Sequence, residues 1–222
     1  VLTCEHATAA LPPGYAWPAA DRWLAGTHWA VDLGIAEITC MLAEQLQTTA
    51  VLAGFSRLLC DANRGADEES WLRTQAEGRP IALNQGIDAA ERARRRVHYD
   101  AFHAEVAAVV AEAPCHTVLS MHSFTPHYED QPPRWMEVGV LFDREEALAE
   151  ALGAVLARAG IRVALNEPYS GKGGLMYSCE THAGPARRPL ELEIRQDLAE
   201  DPLWRRAVVP TLASALREVG VG

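Results

Sequence analysis

Val118-Leu119-Ser120-Met121-His122-Ser123-Phe124-Thr125-Pro126 is the stretch on which the reading of this chain turns. It is a short apolar run that ends on a histidine and then breaks into a proline-closed loop. Such a run, bounded by turn signals, predicts a buried strand over residues 118–121 in an α/β sheet. In open α/β sheets ligands sit just beyond the carboxyl ends of the strands, so His122 falls where such a fold places chemistry. A strand-end histidine that only caps a loop fits this stretch equally well. Three other stretches decide between the two: Cys4-Glu5-His6, Asp61-Ala62-Asn63-Arg64 and Glu193-Ile194-Arg195.

Outward from the central strand, elements alternate. Residues 1–4 read as a strand and 21–47 as mostly helix, with Ile35, Ile38, Met41, Leu42 and Leu46 at helical spacing. Residues 50–55 read as a strand and 57–60 as a short extended run. The polar, Gly/Pro-punctuated segment 63–86 reads as a long loop, a length that is usually functional or mobile. A helix follows over 88–112, with Asp88 as N-cap and Glu91 three residues on. Its Arg92, Arg94, Arg95 and Arg96 are expected on a solvated face. Strands at 136–142, 161–165 and 190–194 alternate with helices at 145–159 and 202–219. Residues 177–184 read as a mobile segment. This order implies one domain, a mostly parallel sheet with helices on both faces.

The chain has 222 residues and a net charge of −10, with 49% hydrophobic and 23% charged residues. That is the composition of a soluble globular protein, and without a basic patch it argues against nucleic acid as a partner. No apolar run reaches membrane-spanning length, and no signal peptide is visible. The five cysteines, at 4, 40, 60, 115 and 179, are odd in number and form no C-x-x-C. They read as reduced thiols of a cytoplasmic protein.

His6, Asp61, His122 and Glu193 each fall at or beside a strand end, and four such ends can converge on one crevice. Two imidazoles and a carboxylate make a catalytic zinc site with a position left for water. A further, unligated carboxylate can take that water's proton; Glu193 is the candidate. The third ligand is open between Asp32, Glu5 and His28, with Asp32 favoured. His28 and Asp32 stand i, i+4 on the expected helix, on one face. Arg57, Asn63 and Arg64 supply guanidinium and amide donors suited to a substrate carboxylate. Arg195 is a candidate to orient the base or contact substrate. His182, in the segment before the last strand, is a candidate to close over substrate and stabilise an oxyanion.

These motifs carry a family resemblance. Cys4-Glu5-His6-Ala7 with Leu11-Pro12, His28-Trp29-Ala30-Val31-Asp32-Leu33-Gly34 and Ser56-Arg57-Leu58 come first. Asp61-Ala62-Asn63-Arg64, Ser120-Met121-His122-Ser123-Phe124-Thr125-Pro126 and Val138-Gly139-Val140-Leu141-Phe142 follow. Asn166-Glu167-Pro168-Tyr169-Ser170 and Glu193-Ile194-Arg195-Gln196-Asp197 complete the set. Together they resemble the N-formylglutamate amidohydrolase family, itself similar to zinc-dependent carboxypeptidase-type exopeptidases. The resemblance implies a single three-layer α/β/α domain over residues 1–222, with a mostly parallel, mixed sheet of the zinc-exopeptidase (phosphorylase/hydrolase) kind. It implies zinc as cofactor, held by His122 in the H-S-aromatic run, by His6 and by one more ligand. It implies Glu193 of the E-x-R run as general base, and Asn63 and Arg64 of the D-x-N-R run as holders of a terminal carboxylate. Carboxypeptidases take two ligands from an H-x-x-E run, whereas the residue three after His6 is Ala9. The implied partner is a small N-acyl amino acid, and the implied reaction is hydrolysis of N-formyl-L-glutamate to formate and L-glutamate. A deacylase or exopeptidase of other substrate, and a non-catalytic metal- or carboxylate-binding protein, are the alternatives.

Overall fold

The computed structural model describes residues 1–128 and 131–221. Six strands build the main sheet: Leu2–Cys4 (β1), Ala50–Leu52 (β2), Thr117–Phe124 (β5), Val138–Leu141 (β6), Val163–Leu165 (β7) and Arg188–Arg195 (β8). A separate hairpin pairs Gln75–Ala76 (β3) with Arg79–Pro80 (β4). The main sheet runs in the order β2-β1-β5-β8-β6-β7. The first four strands in that order are mutually parallel, β6 is antiparallel to β8, and β7 is parallel to β6. The expected α/β domain with a mostly parallel, mixed sheet is what the chain forms.

All eight residues of β5 are buried, as a central strand covered on both faces must be. Leu119 and Met121 pack into one core with Ile35–Leu46 (α1), Glu146–Arg158 (α3) and Pro202–Glu218 (α6). Val118 packs into a second core with Tyr99, Phe102 and Val106 of Ala89–Glu112 (α2) and Cys179 of Tyr177–Ala183 (α4). The period of two sends Ser120 and His122 to the same side as Val118. On β8 the apolar Leu190, Leu192 and Ile194 enter the first core, which turns Glu191 and Glu193 to the other face. The parallel register sets Ser120 beside Glu191 and His122 beside Glu193. Each fully buried leucine in these cores stabilises the fold by about 1.5–3 kcal/mol. That apolar burial offsets the cost of keeping an ionisable row under cover.

Four local expectations are corrected. The helix expected over 21–47 begins only at Ile35. Gly34 breaks it, with a φ of 75°, and an added Cβ there would lie 2.3 Å from the carbonyl oxygen of Ala199 in the short helix Gln196–Ala199 (α5). Residues 22–34 run as successive turns instead, and the Asp32 N–H donates to the His6 carbonyl (3.0 Å). His28 and Asp32 therefore share no helix face. Residues 57–60 form a turn, with Leu59 N–H donating to Ser56 O, rather than an extended run.

The long loop 63–86 is organised by Arg95, which is buried rather than solvated. Its guanidinium donates to Leu59 O, Leu83 O and Asn84 Oδ1 and pairs with Glu91. Asp88 caps α2 as expected, accepting from Glu91 N–H (2.7 Å). Residues 177–183 are helical. No described helix is long and apolar enough to cross a membrane, and all five cysteines are free thiols.

Candidate active site

Three elements deliver the candidate ligands. His6 lies in the turn after β1, His122 lies on β5, and Asp32 lies among the turns before α1. Asp32 Oδ2 sits 3.3 Å from His6 Nδ1 and 2.8 Å from His122 Nδ1. The two imidazoles meet edge-on, with centroids 4.7 Å apart. Ligand atoms of the three buried residues all lie within 4.8 Å of one another, a group that could hold a metal ion. Of the three candidates for the third ligand, the group takes Asp32. His28 lies on the cavity wall against Trp29. Glu5 is fully buried behind His122, accepting from Ser120 Oγ at 2.8 Å.

The outer nitrogen of each imidazole also meets a carboxylate. His6 Nε2 is 2.7 Å from Asp61 Oδ1, and His122 Nε2 is 3.1 Å from Glu5 Oε2. Metal-ligating histidines almost always carry such a partner, which fixes the tautomer that leaves the inner nitrogen free to coordinate. This donor set therefore fits a metal ion by its own chemistry. Burial works against charge on His122, yet Glu191, Asp32 and Glu5 together hold its pKa well above the usual imidazole range. Burial likewise opposes an ionised Asp32, but His6 and His122 keep its carboxyl well below its ordinary value. So much negative charge gathered on two imidazoles is what a bound cation balances.

Glu193 stands apart from the ligands. It is 5% exposed, and its buried Oε2 has no hydrogen-bond partner among the described residues. Burial first, with Glu191 and Asp32 nearby, pushes its pKa well above the carboxylate range. A cavity of about 240 Å³ joins Glu193 to His6, Asp32 and His122.

A family model described as N-formylglutamate amidohydrolase matches residues 1–199. The chain belongs to the N-formylglutamate amidohydrolase family. A solved gene product of Agrobacterium tumefaciens is 31% identical, with a TM-score of 0.90 over 99% of this chain and 89% of that one. An N-formylglutamate amidohydrolase from Ralstonia eutropha JMP134 shares the fold at 21% identity, with a TM-score of 0.74 over 98% of this chain and 92% of that one. No curated protein matches the chain.

The remaining candidates of this family member divide. Arg57 lines the cavity but is engaged, donating to Asp32 Oδ1 (3.3 Å) and Asp61 Oδ2 (3.0 Å). Asn63 is a hub: its amide donates to Leu175 O and Glu191 Oε2 and accepts from Ser178 N–H. Arg64 faces the cavity and, among the described residues, donates to two carbonyls, Asn63 O and Leu175 O.

Two candidates do not reach the cavity. Arg195 turns its fork to Asp197 and to the carbonyls of Arg134 and Met136. The turn of α4 carries His182 to α2, where its Nε2 lies 2.8 Å from His103 Nδ1. Glu191, absent from the candidates, lines the cavity beside Glu193. Its signal is present in the alternation Leu190-Glu191-Leu192-Glu193-Ile194, which puts both glutamates on one face.

Proposed function

We propose that this protein is a zinc-dependent amidohydrolase cleaving the linear amide of a carboxylate-bearing N-acyl amino acid. The reaction is N-formyl-L-glutamate plus water to formate and L-glutamate, or that of a close N-acyl analogue. The observation that carries this reading is the pairing of two unlike groups across one cavity. His6 Nδ1 and His122 Nδ1 both meet Asp32 Oδ2, and Glu193, a buried carboxylate whose Oε2 has no partner among the described residues, lies apart from them.

His6, Asp32 and His122 would hold the zinc. When bound, zinc supplies Lewis acidity, which lowers the pKa of a water towards neutrality and polarises a carbonyl oxygen. Glu193 takes the proton of the attacking water on its unpartnered oxygen and passes it to the leaving nitrogen. Its burial makes it a stronger base than an exposed glutamate, and positive charge beside Asp32 offsets that burial. Arg57 neutralises Asp32 and Asp61 and so steadies the donor set. Arg64 holds the substrate carboxylate with N–H groups not taken by the two carbonyls.

The test is metal content and formate release, measured on wild type and His122→Ala purified side by side. About one equivalent of zinc, lost together with hydrolysis of N-formyl-L-glutamate in the variant, is the expected result. A wild type that takes up no zinc, or that turns over no N-formyl or N-acyl amino acid, would overturn the reading.

A further inference from the structure

Three guanidinium groups line the cavity: Arg57, Arg64 and Arg73. Arg57 is neutralised by two aspartates, and Arg64 donates to carbonyls. Arg73 differs from both. Among the described residues its guanidinium has neither a carboxylate partner nor a hydrogen-bond acceptor; only its backbone carbonyl is engaged, by Asn84. Its Cζ instead sits over the Trp29 ring, 5.1 Å from the centroid. Trp29 is itself fixed, by the His28 ring at 4.7 Å and by Nε1 donating to Glu77 Oε1 at 3.4 Å. An aromatic platform orients a guanidinium while leaving its N–H donors unspent. Although Arg73 as a residue is exposed, partial desolvation of its guanidinium and the like charge of Arg57 work against its cation, and an arriving anion offsets the like charge.

The cavity thus presents two cations that no carboxylate neutralises among the described residues. They come from different segments, Arg64 from the turn after Asp61 and Arg73 from the loop before β3. We propose that Arg73, held on Trp29, is a specificity-determining residue that binds a second carboxylate, on the substrate's side chain, while Arg64 holds the first. The proposal rests on the amidohydrolase reading and adds the residue that selects an acidic amino acid.

The test uses the zinc-loaded full chain and two substrates of one shape, N-formyl-L-glutamate and its neutral counterpart N-formyl-L-glutamine. Arg73→Gln lowers kcat/KM for the glutamate compound about 10–100-fold, chiefly through KM, and shifts the glutamine compound less than about 3-fold. Arg73→Lys, which keeps charge but loses the fork, falls between. Equal loss on both substrates, or loss on neither, overturns the proposal. If the wild type hydrolyses neither these compounds nor any other N-formyl or N-acyl amino acid, the amidohydrolase reading fails on its own. The role of Arg73 is then decided by calorimetry with glutarate and glutaramate. Loss of glutarate binding in Arg73→Gln with glutaramate binding retained supports it. A wild type that does not prefer glutarate, or a preference that survives the substitution, overturns it.

Discussion

Asp61 stands 2.7 Å from His6 Nε2, while the same ring turns its Nδ1 towards Asp32. A carboxylate at that outer nitrogen sets the tautomer and raises the basicity of the inner one. Asp61→Asn keeps the shape and removes the charge, so zinc affinity falls about 10–100-fold. Chelator competition measures the change. Unaltered affinity would reduce Asp61 to a partner of Arg57.

Glu193→Gln separates chemistry from metal binding, because Glu193 is not among the three grouped donors. The variant keeps its zinc and loses about 10²–10⁴-fold in kcat, the range for removal of a general base. Parallel elemental analysis and formate assays give both numbers. Turnover at the wild-type rate would remove Glu193 from the mechanism.

Gly139 pairs with Glu193 across the antiparallel β6–β8 ladder. A Cβ added there would lie 2.2 Å from Glu167 O and 3.3 Å from Glu193 Cβ. Since the first of these atoms is backbone, Gly139→Ala forces the Asn166–Ser170 turn away from the sheet. Overpacking of this kind costs about 1–3 kcal/mol, which lowers Tm by about 2–4 °C per kcal/mol for a chain of this size. A melting curve matching wild type would show that the turn yields freely.

His103 and His182 stack at 5.1 Å between centroids and join α2 to α4. Burial first, and the neighbouring His182 second, push the His103 pKa down to about 4. An unfolded histidine titrates near about 6.5, so between those values the unfolded chain binds more protons. The stability this group contributes is therefore complete above about pH 6.5 and is lost as pH falls towards about 4. His103→Gln flattens that part of the profile. Denaturant midpoints for both proteins at about pH 7.5 and about pH 5 measure the difference; equal acid sensitivity would refute the assignment.

Much of this was legible in the chain. The strand expected at 118–121 is too short, since β5 spans Thr117–Phe124 and His122 lies inside it, two residues before its carboxyl end. Periodicity also found α2 and its cap, because Asp88 acts on its own neighbours and a local signal suffices. What escaped depends on distant partners. Gly34 looks like any helical glycine until Ala199 is seen against it. Arg95 looks like its exposed neighbours until the carbonyls of Leu59 and Leu83 converge on it. Composition could not separate Arg73, which pairs with no carboxylate among the described residues, from Arg57, which holds two. The direction in which His182 points is set by α4, and a heptapeptide of mixed polarity carries little helical signal of its own.

The His122–Glu193 register has a further consequence. A proposed ligand and the proposed base occupy paired positions on adjacent parallel strands, so their separation is gauged by main-chain hydrogen bonding across a spacing of about 4.8 Å. Arg64, Arg73, Trp29 and Tyr169 instead reach the cavity from connecting segments outside that ladder. The interval between His122 and Glu193 is thus set by the sheet, whereas the proposed recognition groups sit on connecting segments. Insertions or substitutions in the segments that carry Arg64, Arg73 and Tyr169 leave the interval between His122 and Glu193 constant. The sheet acts as a ruler, and the loops are free to drift around it.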